Sequence, residues 1–194
     1  MTAGRKIVSE NHHWGTPKKY VDAVKDFLGD IELDPCSNKI SIVEAGVEYL
    51  LPAHDGLRES WDFPTIYVNP PYGRDPERGT SILDWIRRCA EAHQHHGSEV
   101  LALIPVAVNT KHWKLHIFGV ANSVCFLADT RLKFINGGFD KGAPMACAIV
   151  YWGSRTSDFY AKFSSYGAVV ELNALKEKGW VSPDQKSETS PPLF

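Results

Sequence analysis

Thr65-Ile66-Tyr67-Val68-Asn69-Pro70-Pro71-Tyr72-Gly73 is the stretch from which the rest of the chain is read. Four residues of high strand propensity run directly into Asn-Pro-Pro-Tyr-Gly, so an apolar strand suited to burial ends in a stiff polar loop. Two successive prolines fix φ twice, remove two backbone N–H donors and push Asn69 out of the helical region. Such a loop has its shape before any ligand arrives.

On either side of it the hydrophobic pattern alternates between helical and strand periods. Downstream, Ile82, Leu83, Trp85, Ile86, Cys89 and Ala90 recur at helical spacing from Ser81 to His93, with Arg87 and Arg88 facing outward. Glu99 to Pro105 is a continuous apolar run suited to a strand covered on both faces. Upstream, Thr16-Pro17 reads as a helix start, with Thr16 as N-cap and Pro17 at the first helical position. Tyr20, Val21, Val24, Phe27 and Leu28 form the apolar stripe of that helix, which stops at Gly29. Ile31 to Asp34 is a short strand ended by Pro35, Val47 to Leu51 a further strand, and Asp55-Gly56-Leu57 a turn before a buried Trp61.

The last third changes character. A short helix spanning Asn109 to Phe118 carries Trp113, and Ser123–Ala128, Leu132–Ile135 and Pro144–Trp152 read as strands around a glycine-rich loop from Asn136 to Gly142. That loop reads equally as a lid, a DNA-contacting element or a plain hairpin connection. Asp158 to Phe163 suggests a helix and Ala168 to Leu172 a final edge strand. Strand-helix-strand repeats of this kind predict an α/β fold. The sheet is expected to be doubly wound and mostly parallel, with helices on both faces and an antiparallel C-terminal hairpin. One domain is expected over residues 14–175, with a flexible N-terminus at 1–13 and a disordered tail at 181–194.

Composition narrows the function classes. The 194-residue chain is 43% hydrophobic and 23% charged, ordinary for a globular domain, and no run approaches the roughly 18 apolar residues that span a bilayer. Without a secretory signal at the N-terminus, the protein is expected in the cytoplasm. Cys36, Cys89, Cys125 and Cys147 form no C-x-x-C pair, so reduced thiols are expected rather than a zinc ribbon or a disulfide framework. The His93, His95 and His96 cluster reads as a helix C-terminus rather than a metal site, and no metal is expected. With 21 basic against 23 acidic residues, any nucleic-acid binding must gather cations on one face.

The proline-locked loop itself suggests a chemistry. The Asn69 side-chain oxygen and the Pro70 carbonyl are two acceptors held close together, which suits an amino group with two hydrogens to donate. Tyr72 sets an aromatic face beside them, on which a planar heterocycle could lie. A proline-rich turn without any ligand uses the same residues.

Asn69-Pro70-Pro71-Tyr72 resembles the catalytic motif of amino-group methyltransferases that use S-adenosylmethionine. Trp14-Gly15-Thr16-Pro17, Leu33-Asp34-Pro35-Cys36-Ser37-Asn38, Asp55-Gly56-Leu57 and Trp61, taken with that motif in order, resemble the small phage-type DNA N6-adenine methyltransferases over residues 14 to 152. The resemblance implies a Rossmann-like class I methyltransferase that transfers a methyl group from S-adenosylmethionine to N6 of a flipped-out adenine in double-stranded DNA. It implies Asn69, Pro70, Pro71 and Tyr72 as catalytic residues, and Trp14, Thr16, Pro17, Asp34, Pro35 and Asp55 as cofactor contacts. Asp34 and Asp55 also read as ordinary turn carboxylates, and the Asp34 segment lacks the glycine-rich loop of larger relatives. Arg74, Arg78, Lys111, Arg131 and Lys133 are the candidate DNA contacts. Two other readings stay open: methylation of an amino group in RNA or of a protein side-chain amide, and a catalytically inactive DNA-binding relative. Connections of about 20 residues leave no room for a separate recognition region, so a short or relaxed target is expected.

Overall fold

A computed structural model describes residues 15–129, 133–134, 141–142 and 145–181. The expectations for residues 1–13, for Trp14 and Arg131, for the loop from Asn136 to Asp140 and for the tail from Ser182 therefore lie outside the described residues. So does the side chain of Lys133.

Seven strands form the central sheet: β1 (Leu33–Asp34), β2 (Val47–Glu48), β3 (Thr65–Val68), β6 (Glu99–Pro105), β7 (Ser123–Leu127), β10 (Cys147–Trp152) and β11 (Gly167–Glu171). Two small ribbons lie apart from it, β4 (Arg74–Asp75) with β5 (Thr80–Ser81), and β8 (Lys133–Phe134) with β9 (Lys141–Gly142). The sheet order is β11-β7-β10-β6-β3-β1-β2. β2, β1, β3 and β6 are parallel, and β10 runs antiparallel between β6 and β7, with β11 antiparallel on the outer edge.

The sheet is buried on both faces, and its period-2 alternation sorts the residues between them. Tyr67, Leu101, Leu103, Cys125, Ile149 and Tyr151 face α1 (Lys18–Leu28) and α4 (Thr156–Phe163). Ile66, Val68, Val100, Ala102, Ile104 and Trp152 face α2 (Ile82–His96) and α3 (Lys111–His116). The α/β, doubly wound expectation with helices on both faces is met. Its antiparallel part takes the form of one strand inserted between two others and one on the edge, followed by a short helix, α5 (Asn173–Glu177), that the hydrophobic pattern did not announce. Among the described residues no helix is long and apolar enough to cross a membrane.

One local expectation is corrected. α1 begins at Lys18 with Pro17 as its cap residue and no side-chain cap bond. Thr16, only 4% exposed, shares a 2.8 Å hydrogen bond with the Tyr67 hydroxyl instead. A buried phenol on β3 competes for the threonine oxygen that a solvent-exposed helix end would have used.

Candidate active site at the carboxyl edge of the sheet

From β1 the chain steps outward to β2 and then crosses back to place β3 on the other side of β1. The sheet order thus reverses between β1 and β3, and in open α/β sheets ligands bind in the crevice beyond the strand ends at such a point. Asp34 closes β1 there, and Asn69-Pro70-Pro71-Tyr72 follows directly from β3. The strand ends bring together residues 35 positions apart in sequence.

An open cleft of about 580 Å³ lies at this edge. Pro35, Cys36, Ser37, Asn38 and Lys39 form one wall, and Tyr49, Leu50, Leu51, His54 and Gly56 line it beyond β2, with Pro71, Arg78 and Trp85 completing it. Gly56 sits so close to the loop after β1 that a Cβ there would lie 1.7 Å from the Pro35 carbonyl oxygen. Only glycine lets the two walls meet. Trp61 is buried as expected and donates from its indole N–H to the Gly56 carbonyl at 2.7 Å, holding that turn from below.

Asp34 is 4% exposed and accepts from the Cys36 backbone N–H at 3.1 Å. Burial, reinforced by the nearby Glu48 carboxylate, pushes its carboxyl up to about 7. Glu48 stands beside it in register at the end of β2. Sequence reading passed over Glu48, because nothing in Val47-Glu48 says that this strand end will lie against β1. The partly buried Cys36 thiol lies between these segments, accepts from the Asn69 backbone N–H, and is held well above the usual thiol range by desolvation and by Asp34.

In the tetrapeptide itself, Pro70 is buried while Asn69, Pro71 and Tyr72 are partly exposed. Tyr72 turns its hydroxyl inward, donating to the Leu103 carbonyl at 3.3 Å with the Cys147 thiol at 3.8 Å. Burial and that thiol raise it well above the ordinary phenol range. Its ring meets Phe134 edge to face at 5.8 Å. Phe134 is a further aromatic of the site, carried in from the ribbon after β7.

The remaining candidates separate. Arg74 on β4 and Lys111 at the start of α3 are exposed. Arg78 is only 19% exposed and is engaged by two carboxylates, Asp75 at 2.7 Å and Asp55 at 3.2 Å. Asp55 in turn accepts from the Leu57 N–H at 3.2 Å and lies 3.5 Å from Arg58. Its carboxylate is therefore directed at arginines and its own turn. Lys19 and Tyr20 on α1 both bond Asp129 beyond β7, closing the rim of the same edge.

A family model described as DNA N-6-adenine-methyltransferase (Dam) matches residues 4–182. No curated protein and no solved structure matches the chain.

Proposed function

Because the chain belongs to the DNA N-6-adenine-methyltransferase (Dam) family, we propose that its methylation of adenine N6 in DNA is performed at the end of β3 by Asn69 and the Pro70 carbonyl. The observation that carries this is the position of Asn69. It is partly exposed at the reversal point of the sheet and one residue from a proline whose successor lines the cleft.

The chemistry follows from the acceptor. An adenine amino nitrogen is a weak nucleophile because its lone pair is delocalised into the ring. Two oxygens that accept its N–H bonds draw the nitrogen toward a pyramidal geometry, localise the lone pair and stabilise the positive charge that develops as the methyl group arrives. This is electrostatic preorganisation, and one such group is typically worth 100- to 1000-fold in rate, about 2.7–4 kcal/mol. The two prolines hold both oxygens still, so little reorganisation accompanies the step.

S-adenosylmethionine, which the family uses, supplies a methyl group already activated on a positive sulfur. The lining of the cleft supports such a ligand: it combines the apolar Tyr49, Leu50 and Leu51 with the polar Ser37, Asn38 and His54. Asp34 and Glu48 would take the amine and hydroxyl donors, as acidic groups at strand ends do in dinucleotide folds. Pro35 and the Gly56 turn would border the purine, and Thr16 and Pro17 the methionine end.

The target base, paired inside a duplex, has to leave the stack at a cost of a few kcal/mol. Stacking on Tyr72 would return about 1–3 kcal/mol, and Phe134 packs against that ring edge to face. Arg74 and Lys111, both exposed, would meet phosphates of the duplex.

Methyl transfer from labelled cofactor to duplex DNA, RNA and protein, compared between the native chain and Asn69→Ala, tests the reading. Label is expected in adenine N6 of duplex DNA and should fall 100-fold or more in the variant, with cofactor affinity and thermal stability retained. Label confined to RNA or protein, or full activity without the Asn69 side chain, overturns it.

A further inference from the structure

Arg78 stands in an arrangement that a DNA-contacting arginine does not need. Its Nε donates to Asp75 Oδ2 at 2.7 Å and its Nη1 to Asp55 Oδ1 at 3.2 Å. The guanidinium and both carboxylates are each 19% exposed. Asp75 belongs to the β4–β5 ribbon that leaves directly from Gly73, and Asp55 to the turn after β2, which borders the cleft through Gly56. One side chain thus bridges the segment leaving the tetrapeptide and the outer wall of the cleft.

That ribbon is anchored at its far end, where Ser81 caps α2 through Asp84, and its turn needs a hold of its own. Its strands are two residues each, and an isolated two-stranded hairpin is marginal in water. Inside the ribbon, Asp75 Oδ1 accepts from the Glu77 and Arg78 backbone N–H groups at 3.0 and 3.1 Å, which shapes the turn. The Arg78–Asp55 contact ties the shaped turn to the wall of the cleft. Pro71, Arg78 and Trp85 also line a second, smaller depression under the ribbon, so Arg78 lies between the two openings that flank the tetrapeptide.

The charges point the same way. A phosphate approaching Arg78 meets two sheltered carboxylates around one guanidinium, and the other cation near Asp55, Arg58, is 82% exposed. Anion binding there is disfavoured by the same carboxylates that fix the arginine. A lysine would have to meet both acids from a single nitrogen, whereas the planar guanidinium reaches them from Nε and Nη1 in a fixed geometry.

We propose that Arg78 is a positioning residue, clamping the segment that follows Asn69-Pro70-Pro71-Tyr72 to the cleft wall through Asp75 and Asp55 rather than binding DNA. This rests on the reading of that tetrapeptide as catalytic. Arg78 touches no reacting atom, and displacement of the segment by even about 1 Å is enough to cost on the order of 100-fold in rate.

The test compares the native chain with Arg78→Gln, Arg78→Lys, Asp55→Asn and the Asp55→Asn/Arg78→Gln pair. Each is assayed for kcat and for cofactor affinity, and for duplex DNA affinity at several salt concentrations. Arg78→Gln, Arg78→Lys and Asp55→Asn should each lower kcat roughly 10- to 100-fold, with cofactor affinity within a few-fold of native. The pair should be no worse than Arg78→Gln alone, since both substitutions open the same clamp. The salt dependence of DNA binding should keep its slope in all of them. A slope reduced by about one in Arg78→Gln and preserved in Arg78→Lys is the signature of a phosphate contact and overturns the proposal. Unchanged kcat in Asp55→Asn overturns it too, as does a large loss of cofactor affinity there, which would make Asp55 a cofactor ligand. A native chain that transfers no methyl group would instead sink the catalytic reading beneath it.

Discussion

Replacing Asp34 by Asn probes the most perturbed carboxyl of the site. In the folded chain its carboxyl is raised from the usual 3.8 to about 7, first by burial and then by Glu48, with the Cys36 N–H opposing. A raised carboxyl means that the folded state holds the proton more tightly than the unfolded chain does. The native state therefore carries the extra proton between about pH 4 and pH 7, and its stability falls as pH rises through that window. At about 1.4 kcal/mol per pH unit the full penalty is roughly 4 kcal/mol, complete above pH 7 and absent below pH 4. Asparagine keeps the shape and an oxygen for the Cys36 N–H, and it does not titrate. Urea unfolding of both chains from pH 4 to pH 8.5 should show the variant gaining steadily on the native protein, by up to roughly 4 kcal/mol at the alkaline end, while losing cofactor affinity. Parallel profiles across that range would refute the reasoning, because they would mean that Asp34 is ionised at no cost in the fold. Calorimetry in buffers of different ionisation enthalpy adds a second check: native protein at pH 6.5 should release a fraction of a proton on binding the cofactor, and Asp34→Asn should release less.

Other parts of the site make their own demands. Tyr72→Ala should harm methylation of a paired adenine more than of an adenine in a mismatch, where extrusion is cheaper; equal losses on the two substrates would remove stacking as its role. Tyr72→Phe keeps the ring and drops the hydroxyl's bonds to the Leu103 carbonyl and the Cys147 thiol, so stability should fall by about 1 kcal/mol with the rate nearly unchanged. Gly56→Ala forces a methyl group into the Pro35 carbonyl and should cost about 1–3 kcal/mol along with cofactor binding, measured by denaturation and calorimetry. At the opposite edge, Glu99 accepts from Tyr151 at 2.7 Å and from Arg155 at 2.9 Å. Glu99→Gln should therefore lower stability by about 1–3 kcal/mol and leave cofactor affinity unaltered.

Much of the fold was legible in the chain because local patterns carry it. The run from Glu99 to Pro105 became β6 with the same bounds, and the stripe from Tyr20 to Leu28 became the buried face of α1. Asn69-Pro70-Pro71-Tyr72 announced its own rigidity, since proline acts on the backbone regardless of what surrounds it. What remained illegible depended on partners distant in sequence. The antiparallel insertion of β10 between β6 and β7 is a choice of neighbour, and an apolar run such as Cys147–Trp152 fits any central slot equally well.

The site divides along the same line. The chain by itself suggested a kind of chemistry: two oxygens on a proline-locked turn, an aromatic beside them, and the Asp34 carboxyl at the end of a strand. Tertiary structure decided which partners those groups meet and in what state they stand, because burial and proximity exist only once the strands are side by side. Asp34 has its raised carboxyl because β1 is covered and Glu48 lies next to it, Thr16 serves Tyr67 instead of a helix end, and Arg78 faces Asp55 and Asp75. A charge or a hydroxyl is written in the chain; its partner and its solvent are supplied by the fold.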